Sequence, residues 1–232
     1  MTQYEAVSPT AHALLFGWIA RGVVQAVGEA RGEALLRRAV RVYGAQRGHR
    51  MALRAAQDGE TLNMRSYMLY GEWSAPAGAM HSEDLEGDPH LRSRVYRCPW
   101  SSAWREEGLL PYGKYYCMEI DEALVRGFNP ALRLDVGGTL SGGAACCEFV
   151  LHDAELTPEH ATQMEARQQA LGDRARMPWE YHCAHLYWSL AETLQMDAVL
   201  AEALLAFGER YGEAAVQAIL AYEGEDFNEL PG

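Results

Sequence analysis

Thiols, carboxylates and turn glycines interleave at short spacing between Cys98 and Phe149. The run holds Cys98-Pro99-Trp100, Gly108 to Gly113, Cys117-Met118-Glu119-Ile120-Asp121, Gly127-Phe128-Asn129-Pro130, and Gly143 through Cys146-Cys147-Glu148 to Phe149. A thiol beside a carboxylate can act as nucleophile or ligand with an acid–base partner. On a helix, Cys117 and Asp121 stand four apart and share a face, with Glu119 pointing elsewhere. On a strand, Cys117, Glu119 and Asp121 all share one face. The alternative is a buried cysteine next to a surface aspartate. Cys98 closes a strand, where side chains often line a pocket mouth, although core packing accounts for it equally well. Cys147 alternates with Phe149 and Leu151, a pattern that favours the core, and Cys146 faces the other way with Glu148 and Val150.

A second cluster lies at Trp179-Glu180-Tyr181-His182-Cys183-Ala184-His185. On a helix, His182 and His185 are three apart, the spacing of a metal pair or of a general base with its partner. Their aromatic neighbours favour His185 as a packing histidine. No metal or cofactor is required by these residues. The zinc alternative would use Cys98, Cys117 and Cys147 with His185 or His182 as fourth ligand. Structural zinc sites usually draw on close Cys pairs, and no C-x₂-C occurs here. A Ser–His elbow, P-loop, dinucleotide fingerprint and HExxH are all absent from the sequence.

The elements that must position these groups read as an α+β fold. Residues 1–57 are helical in pattern. Ser8-Pro9 starts a helix carrying Leu14, Leu15, Trp18, Ile19, Val23 and Val27 at helical spacing. A second helix follows, which Gly44 and Gly48 either interrupt or pack closely. Residues 62–152 form the sheet-bearing centre, with strands expected at Leu62–Trp73, Leu91–Cys98, Leu132–Leu140 and Cys146–His152, making an antiparallel sheet of about four strands. Ser74–Pro89 reads as a loop. Pro99–Tyr112 reads as a short helix ended by the turn Pro111-Tyr112-Gly113, and Tyr115–Leu124 as another. Thr157-Pro158 opens two or three further helices, to about Tyr222, and residues 223–232 read as a loose tail. The whole is expected to form one domain, a small sheet flanked by helical hairpins at each end. Glu33-Ala34-Leu35-Leu36 with Tyr43-Gly44 is echoed by Glu202-Ala203-Leu204-Leu205 with Tyr211-Gly212.

Composition bounds the partners. The 232 residues carry a net charge of −12, which disfavours nucleic acid, and no apolar run reaches membrane-helix length. Basic residues crowd the first quarter, including Arg37, Arg41, Arg47, Arg50 and Arg54, and read as a solvated helix face. The N-terminus lacks signal-peptide features, so a cytoplasmic, reducing location is expected. Five cysteines, an odd number, are read as thiols, ligands or core residues. A small-molecule substrate and a homodimer are the expected partners.

Arg97-Cys98-Pro99-Trp100, the Gly108/Gly113 spacing, Cys117 with Asp121, Gly127 with Asn129-Pro130, and Leu140 through Gly143 to Cys147 and Phe149 resemble the L-2-amino-thiazoline-4-carboxylic acid hydrolase family. The ending Gly-x-x-x-Cys-x-Phe is also similar to the small-molecule-binding 4-vinyl reductase domain. Both families commonly place an acidic residue after that glycine, where Ala144 and Ala145 stand here. The first resemblance implies a hydrolase that opens a small nitrogen- or sulfur-containing ring. Cys98 or Cys117 would be nucleophile or ligand, Asp121 or Glu119 acid–base, and His185 a second proton carrier. Trp100, Arg97, Asn129 and Arg133 would bind substrate, Arg97 or Arg133 clasping a carboxylate. The second implies a non-catalytic sensor or binding module, with or without zinc.

Overall fold

The computed structural model describes residues 4–231, which form α-helices and one four-stranded antiparallel sheet, the α+β class expected. Two compact units are assembled from separated stretches of chain. A helical unit takes the chain up to Tyr43, Cys98–Ile120 and Pro178–Asp226. A sheet-bearing unit takes Gly44–Arg97, Asp121–Met177 and the segment from Phe227. Among the described residues no helix is long and apolar enough to cross a membrane.

The helical unit contains α1 (Pro9–Val27), the first half of α2 (Glu29–Gln57), α4 (Pro99–Glu106), α5 (Leu110–Cys117), α8 (Trp179–Leu194), α9 (Asp197–Tyr211) and α10 (Glu213–Leu220). Proline stands in the first turn of α1 as expected, because its missing N–H would find no helical partner there; Ser8 makes no side-chain cap. Leu14, Leu15, Ile19 and Val23 of α1 are buried, so its apolar stripe is core. Pro111, Tyr112 and Gly113 do not end a helix but lie within α5, with Pro111 in its first turn. The sequence echo parts company at its glycines. α2 runs on through Gly44, whereas α9 stops at Gly212, whose φ of 87° suits a residue without Cβ.

In the sheet-bearing unit, β1 (His81–Glu86), β2 (Leu91–Arg97), β4 (Cys147–Leu151) and β3 (Leu134–Val136) pair in that order. Leu91 and Leu134 both stand opposite Leu151. These three pack with Met64 of α3 (Met64–Leu69) and Val125 of α6 (Ile120–Phe128). Three expectations fail here. Leu62–Trp73 is not a strand, because Asn63 and Ser66 form a reciprocal capping box, each side chain bonded to the other's backbone N–H, that starts α3. Ser74–Pro89 is not all loop, since it contains β1. That strand is solvated on both faces, so no apolar alternation marks it. Leu132–Leu140 is strand only over Leu134–Val136, and a 3-10 turn at Leu140–Gly142 follows.

The Thr157-Pro158 start signal is realised at α7 (Pro158–Leu171), where the Thr157 hydroxyl accepts the His160 N–H. Four helices follow His152, α7 to α10, rather than two or three. The final residues are not a loose tail. Phe227 is buried and its carbonyl accepts a 2.6 Å hydrogen bond from Arg50 Nη1.

Gly48 and Gly127 fix how α2 crosses α6. A Cβ at Gly48 would stand 2.1 Å from the Leu124 carbonyl oxygen, and one at Gly127 would stand 2.3 Å from the Ala45 oxygen. Backbone therefore meets backbone, which only glycine permits. The crossing sets Leu124, Gly127 and Phe128 of α6 against Ala45 and Gly48 of α2.

Candidate active site

Arg47, Arg50 and Arg54 recur on α2 at spacings that place them along one stripe. They converge on Glu72, which is fully buried. Arg50 donates Nε to Oε1 at 2.9 Å and Nη2 to Oε2 at 2.7 Å, a bidentate pair. Arg54 Nη1 adds 2.5 Å to Oε1, and Arg47 Nε lies 3.6 Å from Oε2. Three guanidiniums thus face one carboxylate in a buried hub. The Glu72 carbonyl accepts the Met177 N–H, which fixes the segment behind it.

Beside this hub is a cavity of about 250 Å³, lined by Arg47, Met51, Tyr67, Glu72, Trp73 and Arg176 among others. Asp121, at the start of α6, belongs to the same electrostatic neighbourhood. Burial pushes its carboxyl up to about 6, against a pull from Arg47 and with a further push from Glu122. Burial and the Asp121 charge likewise hold the Tyr67 hydroxyl above the usual phenol range. Such a carboxyl can take a proton and return it near neutral pH, and Arg47 and Arg176 put guanidiniums in the cavity wall. The Arg176 guanidinium is anchored by Nη1 to the Trp73 carbonyl at 2.6 Å.

The sequence-derived candidates divide between the units. Cys98 is the residue before α4, half-buried, with extended backbone and no side-chain cap. Cys117 ends α5 while Asp121 lies in α6, so the single helix or strand expected to align them does not exist. Met118 and Glu119 break it. Glu119 is held by Arg37 at 2.5 Å and Arg41 at 3.0 Å. Arg97 is exposed at the end of β2, and Arg133 is exposed and bidentate to Asp135 at 2.9 and 2.8 Å. Asn129 clamps the turn after α6, donating to the Leu62 carbonyl and accepting the Ala131 N–H. All five cysteines are free thiols, and buried Cys147 accepts the Leu140 N–H. Among the described residues, no group of three or more His, Cys, Asp or Glu side chains could hold a metal ion. The zinc set of Cys98, Cys117, Cys147 and His185 is therefore not assembled there.

Trp100 and His185 belong to a buried aromatic network of the helical unit. Trp100 Nε1–H donates to His12 Nδ1 at 3.0 Å, and His12 Nε2 lies 2.9 Å from the Tyr43 hydroxyl. Indole nitrogen only donates, so His12 Nδ1 must accept and the ring is neutral with its proton on Nε2. His185 is fully buried, its ring 4.6 Å from that of Tyr43. His182 is buried beside Trp179.

Asp121 was named as a candidate from the sequence, whereas Arg47, Tyr67, Glu72, Trp73 and Arg176, which line the cavity, were not. The available signal was the arginine stripe at 47, 50 and 54 with one carboxylate, Glu72, inside an otherwise aromatic and apolar run. No curated protein and no solved structure matches the chain. The family profile described as L-2-amino-thiazoline-4-carboxylic acid hydrolase matches residues 10–151, which include the arginine stripe, Tyr67, Glu72 and Asp121. That match covers more than half of the chain, which therefore belongs to the L-2-amino-thiazoline-4-carboxylic acid hydrolase family.

Proposed function

We propose that the protein opens a small carboxylate-bearing heterocycle of the 2-amino-thiazoline type by adding water to its amidine-like carbon. Asp121 takes a proton from water as the oxygen bonds to that carbon, giving a tetrahedral adduct. The ring carbon–sulfur bond then breaks as the adduct hydroxyl gives its proton to the ring nitrogen, and the proton held by Asp121 passes to the departing sulfur. The carbon becomes a ureido carbonyl and the sulfur a free thiol, so one water is consumed and no redox partner is needed. Arg47, with Arg176, holds the ring carboxylate, and Tyr67 donates a hydrogen bond to the adduct.

What supports this reading is the Asp121 carboxyl, pushed up to about 6, which interacts electrostatically with Arg47 and Tyr67, two residues that line the cavity of about 250 Å³. The test is thiol release from L-2-amino-thiazoline-4-carboxylate by the full chain, beside Arg47→Gln. Stoichiometric thiol with KM raised about tenfold or more in the variant supports the assignment. No thiol release by the unaltered protein sinks it. Unchanged KM in the variant removes Arg47 from substrate binding. Cys98→Ala and Cys117→Ala should retain turnover; loss in either would move the first step to a thiol nucleophile.

A further inference from the structure

The sheet-bearing unit holds another cavity, of about 300 Å³, that shares no lining residue with the one assigned above. We propose that this cavity, walled by Arg54, Tyr70, Leu171, Arg174, Met177 and Leu230, is a second ligand site for a small organic anion with a short apolar tail. The reading does not depend on the proposed reaction.

Its polar end is made by two guanidiniums held unequally. Arg54 spends Nη1 on buried Glu72, but among the described residues its Nη2 meets the Met177 sulfur alone, at 3.2 Å. A thioether is a weak acceptor, so a ligand oxygen that displaces it gains a stronger, charge-assisted bond. Arg174 stands 3.6 Å from Asp58 with its side chain 64% exposed, a contact that constrains it little. It can swing to share a carboxylate with Arg54. Asp58 also lines the cavity, with one oxygen on the Tyr70 hydroxyl at 2.7 Å and the other 3.6 Å from Arg174, so a ligand carboxylate binds by drawing Arg174 away from it.

The opposite end is apolar. Leu171, Ala175, Leu230 and Pro231 line it. Leu230 and Pro231 belong to the segment pinned at Phe227 by Arg50, the same arginine that clasps Glu72. A fixed hydrocarbon wall facing two cations suits a short-chain monocarboxylate better than inorganic phosphate or a neutral amide.

The experiment is calorimetric or NMR titration of the full chain with butyrate, using butyramide as the uncharged control. Saturable butyrate binding is expected, with butyramide at least about tenfold weaker. Arg174→Gln, a substitution at an exposed position that leaves the fold intact, should weaken butyrate by about tenfold or more, and Arg176→Gln should leave it unchanged. Absence of saturable butyrate binding overturns the proposal. So does binding that survives Arg174→Gln but is lost in Arg176→Gln, which would place butyrate in the first cavity. None of these readouts uses turnover, so they stand apart from the fate of the proposed reaction.

Discussion

The two units bury polar groups by opposite means. In the helical unit, the hydrogen-bonded chain Trp100–His12–Tyr43 joins neutral donors to neutral acceptors among aromatic rings. In the sheet-bearing unit, three guanidiniums converge on one buried carboxylate, Glu72, so the buried polar groups there are ions. A neutral chain closes on itself and stiffens a core. Ions beside a cavity give it a local field that a neutral chain does not. His12, His182 and His185 are thus packed among rings in one unit, while Arg47 and Arg176 line a cavity in the other.

The largest expected effect separates these two modes. Glu72→Gln leaves three buried guanidiniums around a neutral amide and should cost about 3–5 kcal/mol of stability in urea unfolding. A cost under about 1 kcal/mol would show that the hub is solvated rather than buried. Gly48→Ala drives a methyl into the α6 backbone, which cannot yield as a side chain would, and should cost about 3 kcal/mol. His12→Leu orphans the Trp100 N–H in the neutral chain and should cost less, about 1–3 kcal/mol. If it costs more than Glu72→Gln, the contrast between the units is wrong. Arg133→Gln, at an exposed pair on the sheet, should change stability by less than about 0.5 kcal/mol and leave KM unmoved.

Much of the fold was legible where apolar periodicity or a cap gave a local cause. The stripe of α1, the alternation Cys147, Phe149, Leu151 and the Thr157-Pro158 start all belong to this kind. α3 was misread because a two-residue capping box outweighs the strand-like composition around it. β1 was missed because an exposed edge strand carries charges on both faces. The arginine stripe on α2 read as a solvated face, since nothing local shows that Glu72 will be buried against it. Asp121 was named from the sequence on a shared face with Cys117, a geometry that the break at Met118-Glu119 removes. Its partners Arg47 and Tyr67 lie far off in sequence, and the Gly48/Gly127 crossing that brings α6 against α2 is visible only in three dimensions.

Asp121 carries the central claim and has a signature that a structural carboxylate lacks. Its folded pKa is raised, so the stabilising contribution is present at low pH and is lost as pH rises from the usual carboxylate range through about 6. Above that pH the buried charge is a cost. Asp121→Asn should therefore gain stability at pH 7, on the order of 2 kcal/mol, while losing turnover by about 10²–10⁴. The most direct measurement is the pH dependence of kcat/KM on L-2-amino-thiazoline-4-carboxylate for the unaltered protein and for Asp121→Asn. The account predicts an ascending limb near pH 6 in the first, and its loss together with nearly all activity in the second. Full activity in Asp121→Asn, with the same ascending limb, would contradict it.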